Sequence, residues 1–165
     1  MKLGNLFAMS VVTLASTVSL AYPMVGDKAE WEGTYTKDPD AAQTLVVKKE
    51  VTEHDDTDKE WMVKVDKIVN GVTTTMMEDI DDDKMYSTAK WNEVMTNCVA
   101  KKGTLEDVTV PAGTFKTCHM KKTCDTHTWE VWWGDVPFGV VKGNWHDMDK
   151  GEHHAVELKT FTLGQ

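Results

Sequence analysis

The stretch Trp61-Met62-Val63-Lys64-Val65-Asp66-Lys67-Ile68-Val69-Asn70-Gly71-Val72-Thr73-Thr74-Thr75-Met76-Met77-Glu78-Asp79-Ile80 decides the fold class. Trp61, Val63, Val65 and Val69 alternate with Met62, Lys64 and Asp66. That period of two belongs to a strand with one buried face. Asn70-Gly71 follows, the strongest two-residue hairpin signal. A tight loop there sets Val69 opposite Val72, Val65 opposite Met76 and Trp61 opposite Ile80. The two strands are predicted at 60–69 and 72–80.

The same alternation extends toward the N-terminus. Ala29, Trp31, Gly33 and Tyr35 form one face of a strand. Leu45, Val47 and Val51 form one face of the next, after the turn cluster Asp38-Pro39-Asp40. Glu53 to Lys59 reads as a charged turn. Beyond Asp81 the period changes. Thr88, Trp91, Met95 and Cys98, with Val94 and Val99, recur every three or four residues. This predicts one helix at 87–100, with Ser87 or an Asp of 81–83 near its start and Gly103 past its end. Its stripe is apolar on one side only, so it is expected to pack on the sheet. Strands then resume at 104–110, 114–120, 126–133, 136–141 and 152–163, with 144–151 as a polar loop. The expected fold is mainly β: a curved antiparallel sheet, a half-barrel in up-and-down order, with one packed α-helix.

Composition narrows the function classes. The chain has 165 residues, 27 acidic and 18 basic, and every basic residue is lysine. An acidic, arginine-free surface is a poor partner for nucleic acid. A hydrophobic content of 41% with 8% aromatic residues excludes a disordered chain. Residues 1–21 read as a cleaved signal peptide: Lys2, an apolar centre, then small residues with Ser19 and Ala21 placed for cleavage before Tyr22. Residues 22–165 are then a single β-rich domain, periplasmic or secreted, with no stable membrane insertion after cleavage. In an oxidising compartment Cys98, Cys118 and Cys124 allow three pairings. Cys98–Cys118 would staple the helix to the sheet and is preferred. Cys118–Cys124, flanking a turn at 121–123, closes a small loop and constrains the unfolded chain less.

Two segments carry a family resemblance. They are Val108-Thr109-Val110-Pro111-Ala112-Gly113-Thr114-Phe115, and Trp129-Glu130-Val131-Trp132-Trp133 leading into Val136-Pro137-Phe138-Gly139-Val140-Val141-Lys142. Together they resemble uncharacterised exported bacterial proteins akin to the LolA/LolB-like lipoprotein carriers, best over residues 98–142. The resemblance implies a strongly curved antiparallel sheet around helices, with an apolar cavity for acyl chains. Here only one helix is predicted, so a smaller or filled cavity is expected.

No catalytic constellation emerges. There is no G-x-S-x-G, and Cys118 and His119 point to opposite faces of a strand. His146, His153 and His154 bracket an acidic hairpin, but adjacent strand residues diverge, so no metal is expected there. The acidic runs at 53–58 and 79–83 lack calcium-loop spacing and read as solvated turns. No cofactor is expected. Trp31, Trp61, Trp91, Trp129 and Trp133, with Phe138, remain as candidates to line a concave apolar site. Trp132 falls on the opposite face, where exposure beside Phe138 would make a contact patch. The expectation is a non-enzymatic exported protein that binds a lipid, lipoprotein or other apolar ligand. The alternative is a structural or interaction module of the cell envelope with a solid core. Its partner is thus an apolar ligand or an envelope protein.

Overall fold

The computed structural model describes residues 22–165; the expected signal peptide, 1–21, lies outside the described residues. Nine strands form one antiparallel sheet: β1 (Lys28–Lys37), β2 (Gln43–Asp55), β3 (Glu60–Val69), β4 (Val72–Asp81), β5 (Thr104–Val110), β6 (Gly113–Thr123), β7 (His127–Trp133), β8 (Val140–Asp147) and β9 (Glu152–Thr162). One helix, α1 (Thr88–Asn97), lies between β4 and β5. The sheet order is β4-β3-β2-β1-β9-β8-β7-β6-β5, so the sheet curves without closing.

The up-and-down order holds within two meanders and breaks between them. From β1 at the centre the strands walk out to the β4 edge, the chain crosses through α1 to the β5 edge, and it walks back to lay β9 beside β1. The Asn70-Gly71 hairpin has the expected register: Val69 pairs with Val72, Val65 with Met76 and Trp61 with Ile80. Both turn residues have positive φ, 50° and 84°.

The core lies on the inner face. Trp31, Leu45, Val156 and Leu158 are buried there with Val136 and Val141. A second cluster joins Val51, Val63 and Val65 to Met85 from the segment before α1. At the far side the tip of the β5–β6 hairpin folds back onto the sheet. The Ala112 N–H donates to the Leu158 carbonyl at 3.1 Å, and Phe115 packs on Phe161 with ring centres 6.2 Å apart. The two ends of the described residues are tied by Asp27, which is buried. Its carboxylate accepts from the Met24 and Gly164 N–H groups, each at 2.8 Å.

Several local expectations are corrected. Residues 136–139 are not strand: Pro137 has no N–H to donate, and Phe138 and Gly139 take left-handed φ of 62° and 75°. Strand β8 instead runs from Val140 to Asp147, through part of the expected polar loop. Its inward residues Gly143 and Trp145 are hidden in the sequence between polar neighbours. The expected turn at 121–123 is the end of β6, and β2 extends to Asp55. Helix α1 starts as expected, with Ser87 Oγ accepting from the Lys90 N–H at 3.2 Å. It does not bury an apolar stripe; no residue within it is fully buried. It is anchored at its ends instead, by Met85 before it and by Cys98 after it, both buried. Gly103 lies past the helix end as expected, while the positive φ, 64°, falls on Lys102. Gly103 supplies room: a Cβ there would meet the Cys98 and Cys118 sulfurs at 2.7 and 3.0 Å.

Candidate functional site

Segment 134–139 fills the hollow of the curved sheet, the place the family resemblance assigns to helices. Val136 and Pro137 are fully buried. The turn is closed by two backbone bonds, Gly134 N–H to the Gly139 carbonyl at 2.8 Å and Gly139 N–H to the Val136 carbonyl at 2.9 Å. Glycine is required at 139 twice over, because φ is positive and a Cβ would strike the Tyr86 ring at 2.5 Å. These bonds aim Phe138 inward. Its ring meets Trp31 edge-on, centres 6.2 Å apart, and it packs against both core clusters. A left-handed backbone costs a bulky residue roughly 1–2 kcal/mol. Packing across two clusters offsets that cost.

An aromatic column holds the loop in place. Tyr22, Tyr86 and Trp133 stack in sequence, with centres 6.0 and 5.6 Å apart. The Tyr22 hydroxyl donates to Asp135 at 2.8 Å, and the Tyr86 hydroxyl donates to the Gly134 carbonyl at 3.1 Å. Burial, reinforced by the Asp135 carboxylate, pushes the Tyr22 phenol far above its usual range, and burial does the same to Tyr86. Both therefore remain hydrogen-bond donors.

Phe138 leaves a hollow on each side. One, of about 290 Å³, is lined by Ile80, Met85, Tyr86, Val94 and Trp133, with Lys49, Lys84 and Lys90 at its rim. The other, of about 200 Å³, lies among Trp31, Leu45, Val47, Val140, Trp145 and Val156, bordered by Lys49 and His154. Lys49 and Phe138 line both. Lys49 projects from β2 onto the inner face and pairs with Glu78 at 3.1 Å. Burial, then the nearby Lys67 ammonium, lowers the His154 imidazole below its ordinary range. His154 is held edge-on to Tyr35.

The candidate aromatics are thus divided. Trp31, Trp133 and Phe138 meet at the hollows. Trp61 lies elsewhere and stacks on His54, centres 4.0 Å apart. Trp91 is half-buried on α1, and Trp129 is half-buried on β7 opposite Trp145; neither lines a hollow. Trp145 belongs to the site and was missed; the signal was its position two residues after Gly143. A Cβ on Gly143 would meet the Trp145 ring at 2.2 Å, so the glycine makes the seat for the indole.

The outer face carries a polar cluster. His119 stacks on Trp132 with centres 4.1 Å apart. Its Nε2 lies 2.9 Å from Glu130 and its Nδ1 3.3 Å from Glu106. The Trp132 indole N–H donates to Glu106 at 2.5 Å. Burial tends to raise Glu130, but hydrogen bonds from His119 and Asn144 outweigh it and hold the carboxyl below its usual range. Trp132 is therefore an intramolecular brace for the β5 edge, and it does not form a patch with Phe138, which lies on the inner face. His146 and His153 pair across β8 and β9 while His154 turns to the other face. Among the described residues no group of three or more His, Cys, Asp or Glu side chains is arranged to hold a metal ion. No helix among them is long and apolar enough to cross a membrane. Cys98 and Cys118 are joined, with α-carbons 5.8 Å apart, and Cys124 is a free thiol.

No protein family profile matches the sequence, and no curated protein matches it. Among solved structures, a Bacteroides fragilis protein with a YmcC-like fold superposes with a TM-score of 0.44 at 12% identity. The match covers 87% of this chain and 99% of that one. The likeness to lipoprotein carriers rests on the V-P-A-G-T-F and V-P-F-G-V-V-K segments of the sequence alone.

Proposed function

We propose that this is a non-enzymatic exported protein that binds an apolar ligand on the inner face of its sheet, with Phe138 as the group the ligand displaces. The observation that carries the reading is the pair of largely apolar hollows that meet at Lys49 and at the Phe138 ring, which sits on a left-handed backbone. Each hollow alone is at or below the lower end of ordinary ligand sites, roughly 300 Å³. Swinging Phe138 aside would join them. The leader-like N-terminus and the Cys98–Cys118 disulfide support an oxidising, exported location.

A second reading, an envelope module with a solid core, is favoured by the complete burial of Val136 and Pro137 in the hollow. One titration separates the two. Delipidated protein mixed with the neutral fluorophore N-phenyl-1-naphthylamine should show saturable one-to-one enhancement, with energy transfer from the neighbouring tryptophans. Phe138→Ala should tighten binding while costing about 2–3 kcal/mol of stability, less than the loss of a fully buried ring. Phe138→Leu serves if the alanine variant does not fold. Absence of saturable binding in both wild type and variant would establish the solid-core reading.

A further inference from the structure

The two hollows differ in polarity, and the difference runs in one direction. The larger hollow carries Lys49, Lys84 and Lys90 around an apolar floor. The smaller is apolar apart from the shared Lys49 and His154 at its border. Phe138 lies between. A ligand spanning both would therefore have a charged end and an apolar end. Among the described residues no acidic side chain lines this hollow, although acids outnumber bases by 27 to 18 in the chain and the carboxylates of Glu78, Asp81, Asp83 and Glu60 act on its lysines from outside. Two of the three ammonium groups are paired with carboxylates, Lys49 with Glu78 and Lys84 with Asp81. Lys90 bonds instead to the backbone carbonyl of Asp83 at 3.3 Å, a contact that leaves its positive charge unneutralised.

We infer that the ligand is a single-chain anionic amphiphile, with its acidic head at the Lys84–Lys90 rim and its alkyl tail passing the Phe138 position toward Trp31 and Trp145. This rests on the proposed apolar-binding function and adds the head-group chemistry. The absence of arginine sharpens it. Lysine acts as a point charge, without the planar fork that matches one oxyanion geometry. The rim therefore selects for negative charge and discriminates weakly among carboxylate and phosphate heads.

The test uses residues 22–165 with the disulfide intact and four probes of equal chain length below their micelle concentrations. These are dodecanoate, dodecyl phosphate, dodecanol and dodecyltrimethylammonium, followed by tryptophan fluorescence. Dodecanoate and dodecyl phosphate should bind with similar affinity, dodecanol about tenfold more weakly, and the cation more weakly still. Lys84→Gln with Lys90→Gln should lower dodecanoate affinity about tenfold and leave dodecanol unchanged. Both lysines are exposed, so the double variant should fold. Lys150→Gln, in the distant β8–β9 turn, should change neither. Equal binding of dodecanoate and dodecanol, or a double variant that leaves dodecanoate untouched, overturns the head-group assignment while the apolar site stands. Failure of all four probes, dodecanol included, overturns the apolar site and this inference with it.

Discussion

From β1 to β4 the chain folds on itself as a regular ladder, and from β5 to β9 it depends on a few special positions. In the first meander the residue pairs run with one irregularity, near Val51, and the hairpin at Asn70-Gly71 is open on all sides: a Cβ on Gly71 would have no neighbour within 4 Å. In the second, one disulfide joins β6 to the end of α1, an irregularity falls between Trp132 and Trp133, and four glycines lie against other groups. Gly103 faces the disulfide, Gly134 faces Val141, Gly139 faces Tyr86 and Gly143 faces Trp145. The regular half supplies a wall. The irregular half supplies the loop that reaches across and fills the space in front of that wall. The first meander has one such crowded glycine, Gly33, where a Cβ would strike the Ala155 carbonyl of β9; in the second, Gly139 and Gly143 seat Tyr86 and Trp145, which line the hollows beside Phe138.

The largest break in the comparison should come from the disulfide. Cys98→Ser with Cys118→Ser opens a loop spanning 20 residues, which the chain-entropy account values at about 3 kcal/mol. Chemical denaturation should read that loss. Hydrogen exchange should locate it, with amides of β5 and β6 exposed before those of β2 and β3. Equal acceleration in both meanders would mean that the sheet opens as one unit and that the two halves do not differ in local stability.

Glycine substitutions give a more graded comparison. Gly143→Ala pushes a methyl group into the Trp145 ring and should cost about 1–3 kcal/mol, as overpacking does. It should also blue-shift or quench the indole and alter probe binding in the smaller hollow. Gly71→Ala meets open space and suffers only from its φ of 84°, so about 1 kcal/mol is expected, with no change at the site. If the two variants lose equal stability and equal binding, the seat under Trp145 has no special role.

Legibility in the sequence divides along the same line. The β3–β4 hairpin could be read to the residue pair, because alternation and an Asn-Gly turn are local and need no tertiary information, whereas the end of β2, read as a charged turn, could not. The Ser87 cap was readable for the same reason. The plug was not. Val136-Pro137-Phe138-Gly139 has the apolar content of a strand, and only its dihedrals, set by contacts with Tyr86 and Trp31, make it a loop. Trp31, Trp133 and Phe138 were identifiable as inward aromatics, whereas Trp145 was masked by Asn144, His146 and Asp147. The clustering of Lys49, Lys84 and Lys90 around one hollow joins β2 to the segment before α1 and to α1 itself. No periodicity along the chain contains that information.

A subtler difference lies at the seam where β1 meets β9. His154 packs on Tyr35 and faces the Lys67 ammonium, with Glu152 and His153 beside it. Burial, then Lys67, disfavours its charged form in the fold, so the unfolded chain binds the proton more readily. Its contribution to stability is therefore present above the ordinary histidine value of 6.5 and is lost as pH falls below it. Melting temperatures of wild type and His154→Gln, measured from pH 8 to pH 5, should converge as the pH falls. A constant offset between them would show that the imidazole is not titrating against the fold.

The smallest effect on stability is expected at the two free edges. Strand β4 is exposed along Val72 to Met77, six positions without a charge, and Val72 and Met77 are 72% and 50% exposed. Strand β5 carries Glu106 and Asp107, and Glu106 is engaged by Trp132 and His119. An uncharged edge with unpaired backbone groups invites another strand, and charge is the usual protection. Met77→Lys should change folding stability by no more than about 0.5 kcal/mol, because the side chain is already in solvent. It should nonetheless lower self-association in concentrated solution, read by light scattering. Glu106→Ala tests the other edge in reverse: it should loosen the Trp132 brace, visible as altered indole emission, and raise self-association. If Met77→Lys leaves association unchanged while Glu106→Ala increases it, the vulnerable edge is β5, and the irregular half needs its charges more than the regular half lacks them.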